Sequence, residues 1–334
     1  MENKKRIQFI DIARGISILL MITGHIIPGG IARNIIYSFH MPLFIIISGY
    51  FYKKRPFKEE LKKDLIHLLL PITIVIFIVT FLLNLKTLNI TNSILETLKT
   101  ITVCWSHQSI ITYNFFSTKE LWFVYMLILT KLLFSINKKI TKDNEWLLLL
   151  LIITETYLGY SIGTSKYWLP WSIDVSLACI IFYYLGYKIK KHNLLDKVLS
   201  NNKLLLIILI LWMLGTSFCS IEIAVRNYPY GILSYITALC GSIVILKLSS
   251  IIEKHLKQST KIISWCGKNS LYILSVHYIE TALITYSFNI QNILIENVLI
   301  IIIKTIISIS IAYIYIKLKE YITKNINLLK TREI

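Results

Sequence analysis

Long runs of apolar residues, broken at short intervals by clusters of polar and basic residues, dominate the chain. An apolar stretch of about 17 to 25 residues is long enough to form a helix that crosses a bilayer. The ten predicted spans are residues 9–28, 35–52, 65–84, 120–136, 146–162, 171–187, 204–219, 231–249, 269–288 and 293–316. The pattern therefore predicts an all-α, polytopic membrane helix bundle, with residues 1–334 forming a single domain.

The basic residues between the spans predict how the bundle is oriented. If the spans alternate in direction from a cytoplasmic amino terminus, 27 of the 36 Lys and Arg residues fall in cytoplasmic segments and six in outer segments. Cytoplasmic loops carry an excess of Lys and Arg. Both termini are thus predicted to be cytoplasmic. Residues 317–334 are predicted to form a basic cytoplasmic tail, either a helix on the lipid surface or a solvated helix end.

Composition excludes several other classes of protein. Hydrophobic residues make up 55% of the chain and charged residues 16%, against about 25% charged residues in soluble domains. The net charge of +18 is distributed in clusters between apolar runs, which favours contacts with anionic membrane lipids over a nucleic-acid surface. The five cysteines have no CxxC spacing, so neither a disulfide framework nor a bound metal is predicted.

The amino terminus could be mistaken for a signal peptide. It begins like one, but its apolar run contains Asp11, Arg14 and His25 and has no small-x-small cleavage site. We therefore predict that it is retained as the first span.

Residues 85–119 form the one long outer segment and are a candidate cover for the outer mouth of the bundle. The polar and aromatic residues of that cover are Trp105, His107, Tyr113, Asn114, Phe115 and Phe116.

The first span carries a stripe of ionisable residues, which are costly in a membrane unless they face a partner or a cavity. Eleven steps of 100° bring Arg14 and His25 to within about 20° of one another, about 16 Å apart along the helix axis. Asp11 is spaced to pair with Arg14. Gly15 and Gly24 would let a neighbouring backbone or a ligand come close. Considered singly, Arg14 could instead reach lipid phosphates and His25 could be a packing residue.

The second and ninth spans add further histidines. His40 lies at a depth similar to that of His25, and two histidines at one depth on consecutive helices favour a site, although His40 alone would more often be structural. In the ninth span Ser270, His277 and Glu280 share one helix face.

Other polar residues have a functional and a structural interpretation. Lys268, Asn269 and Ser270 mark a predicted helix start, where free backbone N–H groups suit a phosphate group. Ordinary helix capping explains the same residues equally well. Asp174, in the sixth span, is a buried acid that either serves a site or pairs with a cation or hydroxyl group.

Several motifs together resemble the membrane acyltransferase-3 family, in particular its fucose 4-O-acetylase-like branch. They occur in order along nearly the whole chain. The motifs are Phe9-Ile-Asp-x-x-Arg-Gly-Ile16 with His25 eleven residues after Arg14, Ser38-Phe-His-Met-Pro-Leu-Phe44 with Ser48-Gly-Tyr50, Leu121-Trp-Phe123, Leu169-Pro-Trp-Ser-Ile-Asp174 with Phe182-Tyr-Tyr-Leu-Gly-Tyr187, and Gly267-Lys-Asn-Ser-Leu-Tyr-Ile-Leu-Ser-Val-His277.

The resemblance implies an enzyme of the cell membrane that moves an acyl group, usually acetyl, from acetyl-CoA or another acyl-CoA to a hydroxyl group. The implied acceptor is a sugar or a lipid-linked glycan of the cell envelope or of an exopolysaccharide, and partners in envelope biosynthesis are possible.

Acyl transfer assigns roles to the residues that carry the resemblance. The reaction needs a base, an oxyanion donor and a hold on the CoA phosphates. We predict His25 as the base, Arg14 as the residue that directs CoA towards it, and Asp11 as the partner that holds Arg14. The remaining predicted positions bind CoA, contact the substrate or support the site. Lys268, Asn269 and Ser270 are predicted for CoA. The residues predicted either to contact the substrate or to support the site from behind are His40, Trp122, Asp174, His277 and Glu280, with His40 and His277 as candidates for binding or proton relay.

Two other classes of protein remain open at this stage. Membrane domains similar to this family occur fused to vancomycin-resistance serine racemases, where amino-acid uptake is implied, and buried ionisable residues also suit proton-coupled transport. The paired broken helices of an inverted repeat, however, are not apparent in the sequence. A non-catalytic scaffold of an envelope-synthesis complex would leave the stripe of Arg14 and His25 unexplained.

The substitution Arg14→Lys tests the role of the first span. Lysine keeps the positive charge but loses the planar, bidentate fork of arginine. We expect the variant to lose most transfer of radiolabel from acetyl-CoA at wild-type abundance in the membrane. Full activity would reduce Arg14 to a topological or lipid-anchoring residue.

Overall fold

The computed structural model describes residues 7–104, 118–165 and 168–330. The fourteen α-helices of these residues are α1 (Gln8–Gly24), α2 (Ile31–Tyr50), α3 (Phe57–Asp64), α4 (Leu70–Asn84), α5 (Ile90–Val103), α6 (Trp122–Ile140), α7 (Glu145–Gly163), α8 (Ile173–Lys191), α9 (Leu194–Ser200), α10 (Asn202–Phe218), α11 (Ile232–His255), α12 (Lys257–Lys268), α13 (Ser270–Leu283) and α14 (Ile293–Lys330). Extended pairing in the described part is limited to one bridge between Glu222 and Asn227. The prediction of an all-α fold is therefore confirmed.

Seven helical segments of the described chain are long and apolar enough to cross a membrane. They are α2, the joined segment Phe57–Asn84 that contains α3 and α4, α6, α7, α8, α11 and α14 up to Asn325. The pair α9 and α10, bent by 86°, makes an eighth if it is one broken span.

The fold is a multi-pass membrane bundle, but three of the ten predicted spans are short. Helices α1 and α10 have 17 residues each and α13 has 14. A helix of 14 residues is about 21 Å long, less than the hydrocarbon core of about 30 Å. The number of ten spans and the cytoplasmic location of both termini stay predictions.

Helices α13 and α14 differ from the predicted boundaries. Helix α13 ends at Leu283 rather than near residue 288, because Ile284 is extended and the following segment returns towards α14. In that segment the Phe288 backbone N–H donates to Glu296 Oε1, at 2.8 Å. Helix α14 continues to Lys330. The segment predicted as a tail, from residue 317 onwards, is therefore the last part of this helix as far as Lys330. Its sequence contains no glycine or proline between residues 293 and 330 that would interrupt it.

Four of the described helices, α3, α5, α9 and α12, lie between the predicted spans. Asn89 caps α5 by accepting from the Asn92 backbone N–H, and the Asn84 amide donates to Thr97 Oγ1 at 3.3 Å. Helix α5 is thereby tied back to the end of α4. Helix α12 packs along α1. The aromatic and polar residues predicted to cover the outer mouth (105–116) lie outside the described residues.

The spanning helices form an inner and an outer group. In the most apolar window of α6 and of α8, 61% of the residues are buried inside the protein. The corresponding share is only 17% in α7 and in α14. The residues of α7 and α14 that remain exposed are largely Leu and Ile, as expected of a surface that meets lipid. Helix α1, which packs on α2, α11, α12 and α13, belongs to the inner group.

Glycines set the spacing between the inner helices. A Cβ atom on Gly15 would lie 2.0 Å from the Ile263 carbonyl oxygen, and one on Gly267 would lie 1.8 Å from the Asp11 carbonyl oxygen. These two residues therefore let the backbones of α1 and α12 touch in both directions, the packing that small residues allow in membranes. The predicted close approach at Gly15 is confirmed. A Cβ atom on Gly24 would lie 2.9 Å from Cε2 of Tyr37, a side-chain atom rather than a neighbouring backbone.

The substitution Gly15→Ala should destabilise the bundle. The added methyl group would overlap the Ile263 carbonyl group, and overpacking of this kind costs about 1–3 kcal/mol. Thermal unfolding of the purified protein in detergent measures the effect as a lower midpoint. Gly29→Ala is the control, because a Cβ at Gly29 meets nothing within 4 Å. Equal midpoints for the two variants would show that α1 and α12 are not in direct contact.

Candidate active site

A cavity of about 520 Å³ lies between α1, α2, α6 and α13. Loop residues 222–225 also line it. Its volume falls in the range of about 300–1,000 Å³ that is common for small-molecule sites. Apolar side chains form much of the wall, and charged and polar side chains complete it.

Arg14 and His25 both line this cavity. Helix α1 is continuous from Gln8 to Gly24, and His25 ends it with right-handed helical backbone angles. The helical spacing between the two residues is therefore preserved, and their side chains face the same space rather than lipid. The geometric prediction made from the spacing is confirmed.

Arg14 marks one end of the cavity. The guanidinium Nη1 lies 3.9 Å from Oδ1 of the buried Asp11, so the predicted pairing of these residues is present. The guanidinium also lies over the ring of Phe51, 5.6 Å from its centroid. Ser48 and Ser270 line the cavity as well. A cation and two hydroxyl-bearing residues therefore line a cavity whose other walls are largely apolar.

His25 has a carboxylate behind it. Its Nδ1 lies 3.6 Å from Oε1 of Glu120, whose side chain is 6% exposed. Glu120 belongs to the short turn Lys119–Leu121 that leads into α6. No partner within the described residues satisfies its second oxygen, Oε2. A carboxylate at one ring nitrogen favours the tautomer that leaves the other nitrogen free to accept a proton.

Glu120 is a residue that the sequence analysis missed. The sequence placed it at the edge of the fourth predicted span, two residues before Trp122, and gave it no role. Trp122 itself lines the cavity, and its contact with a substrate stays a prediction. No helical spacing could relate Glu120 to His25, because the two residues are on different helical segments and 95 positions apart.

His40 also lines the cavity, on α2. Its Nδ1 is 2.8 Å from the Ile36 carbonyl oxygen, so Nδ1 carries the proton and Nε2 is left as an acceptor. The ring of Tyr37 lies between the two histidines, with centroid distances of 5.0 Å to His40 and 6.4 Å to His25. The structure therefore brings the predicted pair of histidines to one cavity.

His277 and Glu280 lie behind His25 rather than in the cavity wall. The ring centroids of His25 and His277 are 5.7 Å apart, and His277 is fully buried. Its Nδ1 lies 3.9 Å from Glu280 Oε2, beyond hydrogen-bonding distance. Glu280 in turn accepts from the Tyr286 hydroxyl at 2.7 Å and from the Ser308 hydroxyl at 3.4 Å. These residues therefore can support His25 without contacting a molecule in the cavity.

The structure does not bring Asp174 to the cavity. Its Oδ2 accepts from Arg226 Nη1 at 2.9 Å in a buried ion pair. The guanidinium of Arg226 stacks on the Trp168 ring, 3.8 Å from its centroid, and donates to the Ser165 carbonyl oxygen at 3.1 Å. Of the two interpretations of Asp174, the structure favours pairing with a cation.

The predicted phosphate site at the start of α13 is only partly formed. Ser270 lines the cavity, but Lys268 is exposed at the end of α12. The Asn269 amide donates back to the Trp265 carbonyl oxygen at 2.9 Å instead of capping α13. The predicted capping of α13 by Asn269 is wrong, because α12 runs directly into α13 and the amide bonds within α12.

Cysteines and metal-binding residues add no further site. All five cysteines are free and buried. In the part of the chain that the structure describes, no three His, Cys, Asp or Glu side chains are grouped so that they could hold a metal ion.

Fold and cavity together define a multi-pass membrane protein with a cavity in which a histidine lies next to a buried carboxylate. A family model described as an acyltransferase domain, that of the acyltransferase-3 family, matches residues 7–317. The chain therefore belongs to this family and is a membrane acyltransferase, which confirms the resemblance carried by its motifs. No curated protein and no solved structure matches the chain.

Proposed function

We propose that this protein transfers an acyl group, most simply acetyl, from acyl-CoA to a hydroxyl group of a cell-envelope or exopolysaccharide sugar, within the cell membrane. The observation that carries the proposal is the single cavity that Arg14 and His25 share, with Glu120 placed at His25. Membership of the family supports acyl transfer in general. The proposal adds the identity of the acyl donor and of the acceptor to this family assignment.

The donor fits the end of the cavity that contains Arg14. The guanidinium offers a planar set of N–H donors for the phosphates or the amide oxygens of CoA, and Asp11 restrains it from the same helix. Ser48 and Ser270 add hydroxyl groups to the cavity. With cytoplasmic termini, this end opens towards the cytoplasm, where the basic residues of segment 53–63 would attract the CoA phosphates.

His25 acts as the general base. It removes the proton of the acceptor hydroxyl as the oxygen attacks the thioester carbonyl carbon. The C–S bond breaks, the ester C–O bond forms, and His25 returns the proton to the sulfur of CoA. Glu120 orients the imidazole and stabilises its protonated form between these two steps. His40, His277 and Glu280 support the site from its flank and from behind.

The substitution His25→Ala should abolish most of the activity. A positioned base contributes about 10²–10⁴-fold to the rate, so we expect a loss of that size in label transfer from radiolabelled acetyl-CoA by the purified protein. His192→Ala changes a histidine that lies outside the cavity, at the end of α8, and should keep wild-type activity. Wild-type transfer by His25→Ala would exclude His25 as the base.

Glu120→Gln tests the carboxylate separately from the imidazole. Glutamine has the same shape but no charge, so it cannot stabilise the protonated ring. We expect kcat to fall by about tenfold or more with the KM for acetyl-CoA unchanged. The control is Glu155→Gln, which removes a carboxylate on α7 that accepts from Asn137 outside the cavity. An unchanged kcat in Glu120→Gln would show that the carboxylate of Glu120 does not assist His25.

Assays with liposomes test the proposal against a transport function. Label that passes from acetyl-CoA to a carbohydrate or a lipid-linked sugar supports the enzyme. Accumulation of a small polar solute such as an amino acid inside proteoliposomes without acetyl-CoA would support a transporter instead. In cells, loss of acetyl groups from envelope glycans after deletion of the protein would identify the acceptor.

A further inference from the structure

The end of the cavity beyond His25 contains an ion pair that none of the steps above uses. Arg33, in the first turn of α2, forms two hydrogen bonds with Glu222, in the loop between α10 and α11. The distances are 2.7 Å from Nη2 to Oε1 and 3.2 Å from Nη1 to Oε2. Both residues line the cavity. Sequence reasoning treated Arg33 only as a charge on the outer side of the membrane.

This pair lies close to the proposed base. The guanidinium of Arg33 stacks on the ring of Tyr37, 4.1 Å from its centroid. The ring of Tyr37 also lies near two histidines, with centroid distances of 5.0 Å to His40 and 6.4 Å to His25. Tyr37 therefore connects the ion pair to the reacting end of the cavity. A molecule that contacts Arg33 and Glu222 can present a hydroxyl group to His25.

Other contacts besides this pair hold its loop in place. Ser220 Oγ donates to the Asn34 carbonyl oxygen at 2.9 Å and so ties the loop to α2. The buried pair of Arg226 and Asp174 ties it to α8. Side-chain exposures of 30% for Arg33 and 20% for Glu222 leave both groups accessible from the cavity. A bidentate pair that is accessible from the cavity, in a loop that has other tethers, is suited to binding a ligand.

The charges at this end are balanced. The cationic groups that line the cavity here are Arg33 and Lys119, and the carboxylates are Glu222 and Glu120. An anionic acceptor that binds Arg33 would have to displace Glu222, and a cationic acceptor that binds Glu222 would have to displace Arg33. A neutral molecule with several hydroxyl groups can donate to the remaining carboxylate lone pairs and accept from the remaining guanidinium N–H groups without separating the pair.

We infer that Arg33, Tyr37 and Glu222 form the acceptor subsite, and that this subsite takes a neutral, hydroxyl-rich unit such as an uncharged hexose. The inference rests on the proposed acyl transfer and adds the charge class of the acceptor. Uronates and zwitterionic amino acids are therefore poor acceptors at this site.

Matched small acceptors test the charge class. Purified protein is given radiolabelled acetyl-CoA with methyl α-glucopyranoside, methyl glucuronopyranoside or serine at equal concentration, and O-acetylated product is counted. We expect kcat/KM for the glucoside to exceed that for the glucuronide and for serine by about tenfold or more, since unmatched buried charges are rejected strongly. Preference for the glucuronide or for serine would overturn the inference.

Substitutions test the residues. Arg33→Gln and Glu222→Gln should each raise the KM for the glucoside by about tenfold, the usual effect of losing a charge-assisted hydrogen bond, with the affinity for CoA unchanged. The charge swap Arg33→Glu with Glu222→Arg keeps an ion pair across the same gap. If the pair only fastens the loop, the swap restores a wild-type KM. If it contacts the acceptor, as we expect, the KM stays raised.

The swap Glu96→Lys with Lys99→Glu is the control. This pair, at 2.7 Å, is exposed on α5 and lies outside the cavity, so its reversal should leave both substrates unaffected. Binding of CoA to the variants is measured by calorimetry. Loss of transfer to every acceptor, with no CoA binding by the wild-type protein, would reject the proposed function itself. Wild-type KM values in Arg33→Gln and Glu222→Gln, with CoA binding intact, would reject only the acceptor subsite.

Discussion

The cost of placing charged side chains inside a membrane governs the arrangement of this protein. Helix α1 carries Asp11 and Arg14 within its length and His25 at its end, and a lone helix with these residues would expose them to hydrocarbon. Here α2, α11, α12 and α13 surround α1. The close contacts at Gly15 and Gly267 let α12 lie directly on the backbone of α1. The polar stripe is thereby directed into a cavity, and the rest of the bundle supplies the walls.

Different groups line the cavity at the two ends of α1. Arg14 lines it near the start of α1, and His25, at the end of α1, lines it together with Glu120, Arg33 and Glu222. Two small molecules that enter from opposite ends can therefore meet near His25 without sharing a binding surface.

The buried ionic residues of the bundle divide into two groups with different purposes. Asp174 is paired with Arg226 away from the cavity, and Asp64 accepts from Lys131 in another buried pair. Pairs of this kind neutralise charge that the membrane would otherwise disfavour. The residues at the cavity retain accessible polar atoms. The sequence could not separate these two groups, because an Asp within a predicted span looks the same whether it pairs with a cation or lines a cavity.

Local sequence patterns are enough to predict the class of fold and one face of one helix. Hydropathy depends on the composition of a segment and helical periodicity on its local geometry, so the all-α bundle and the common face of Arg14 and His25 could be predicted. The packing of the helices places Glu120 at His25, pairs Asp174 with Arg226, and joins α12 to α13. The first two contacts join segments that are far apart along the chain, and the third depends on where α12 ends. No local pattern encodes them, because they follow from how the helices pack.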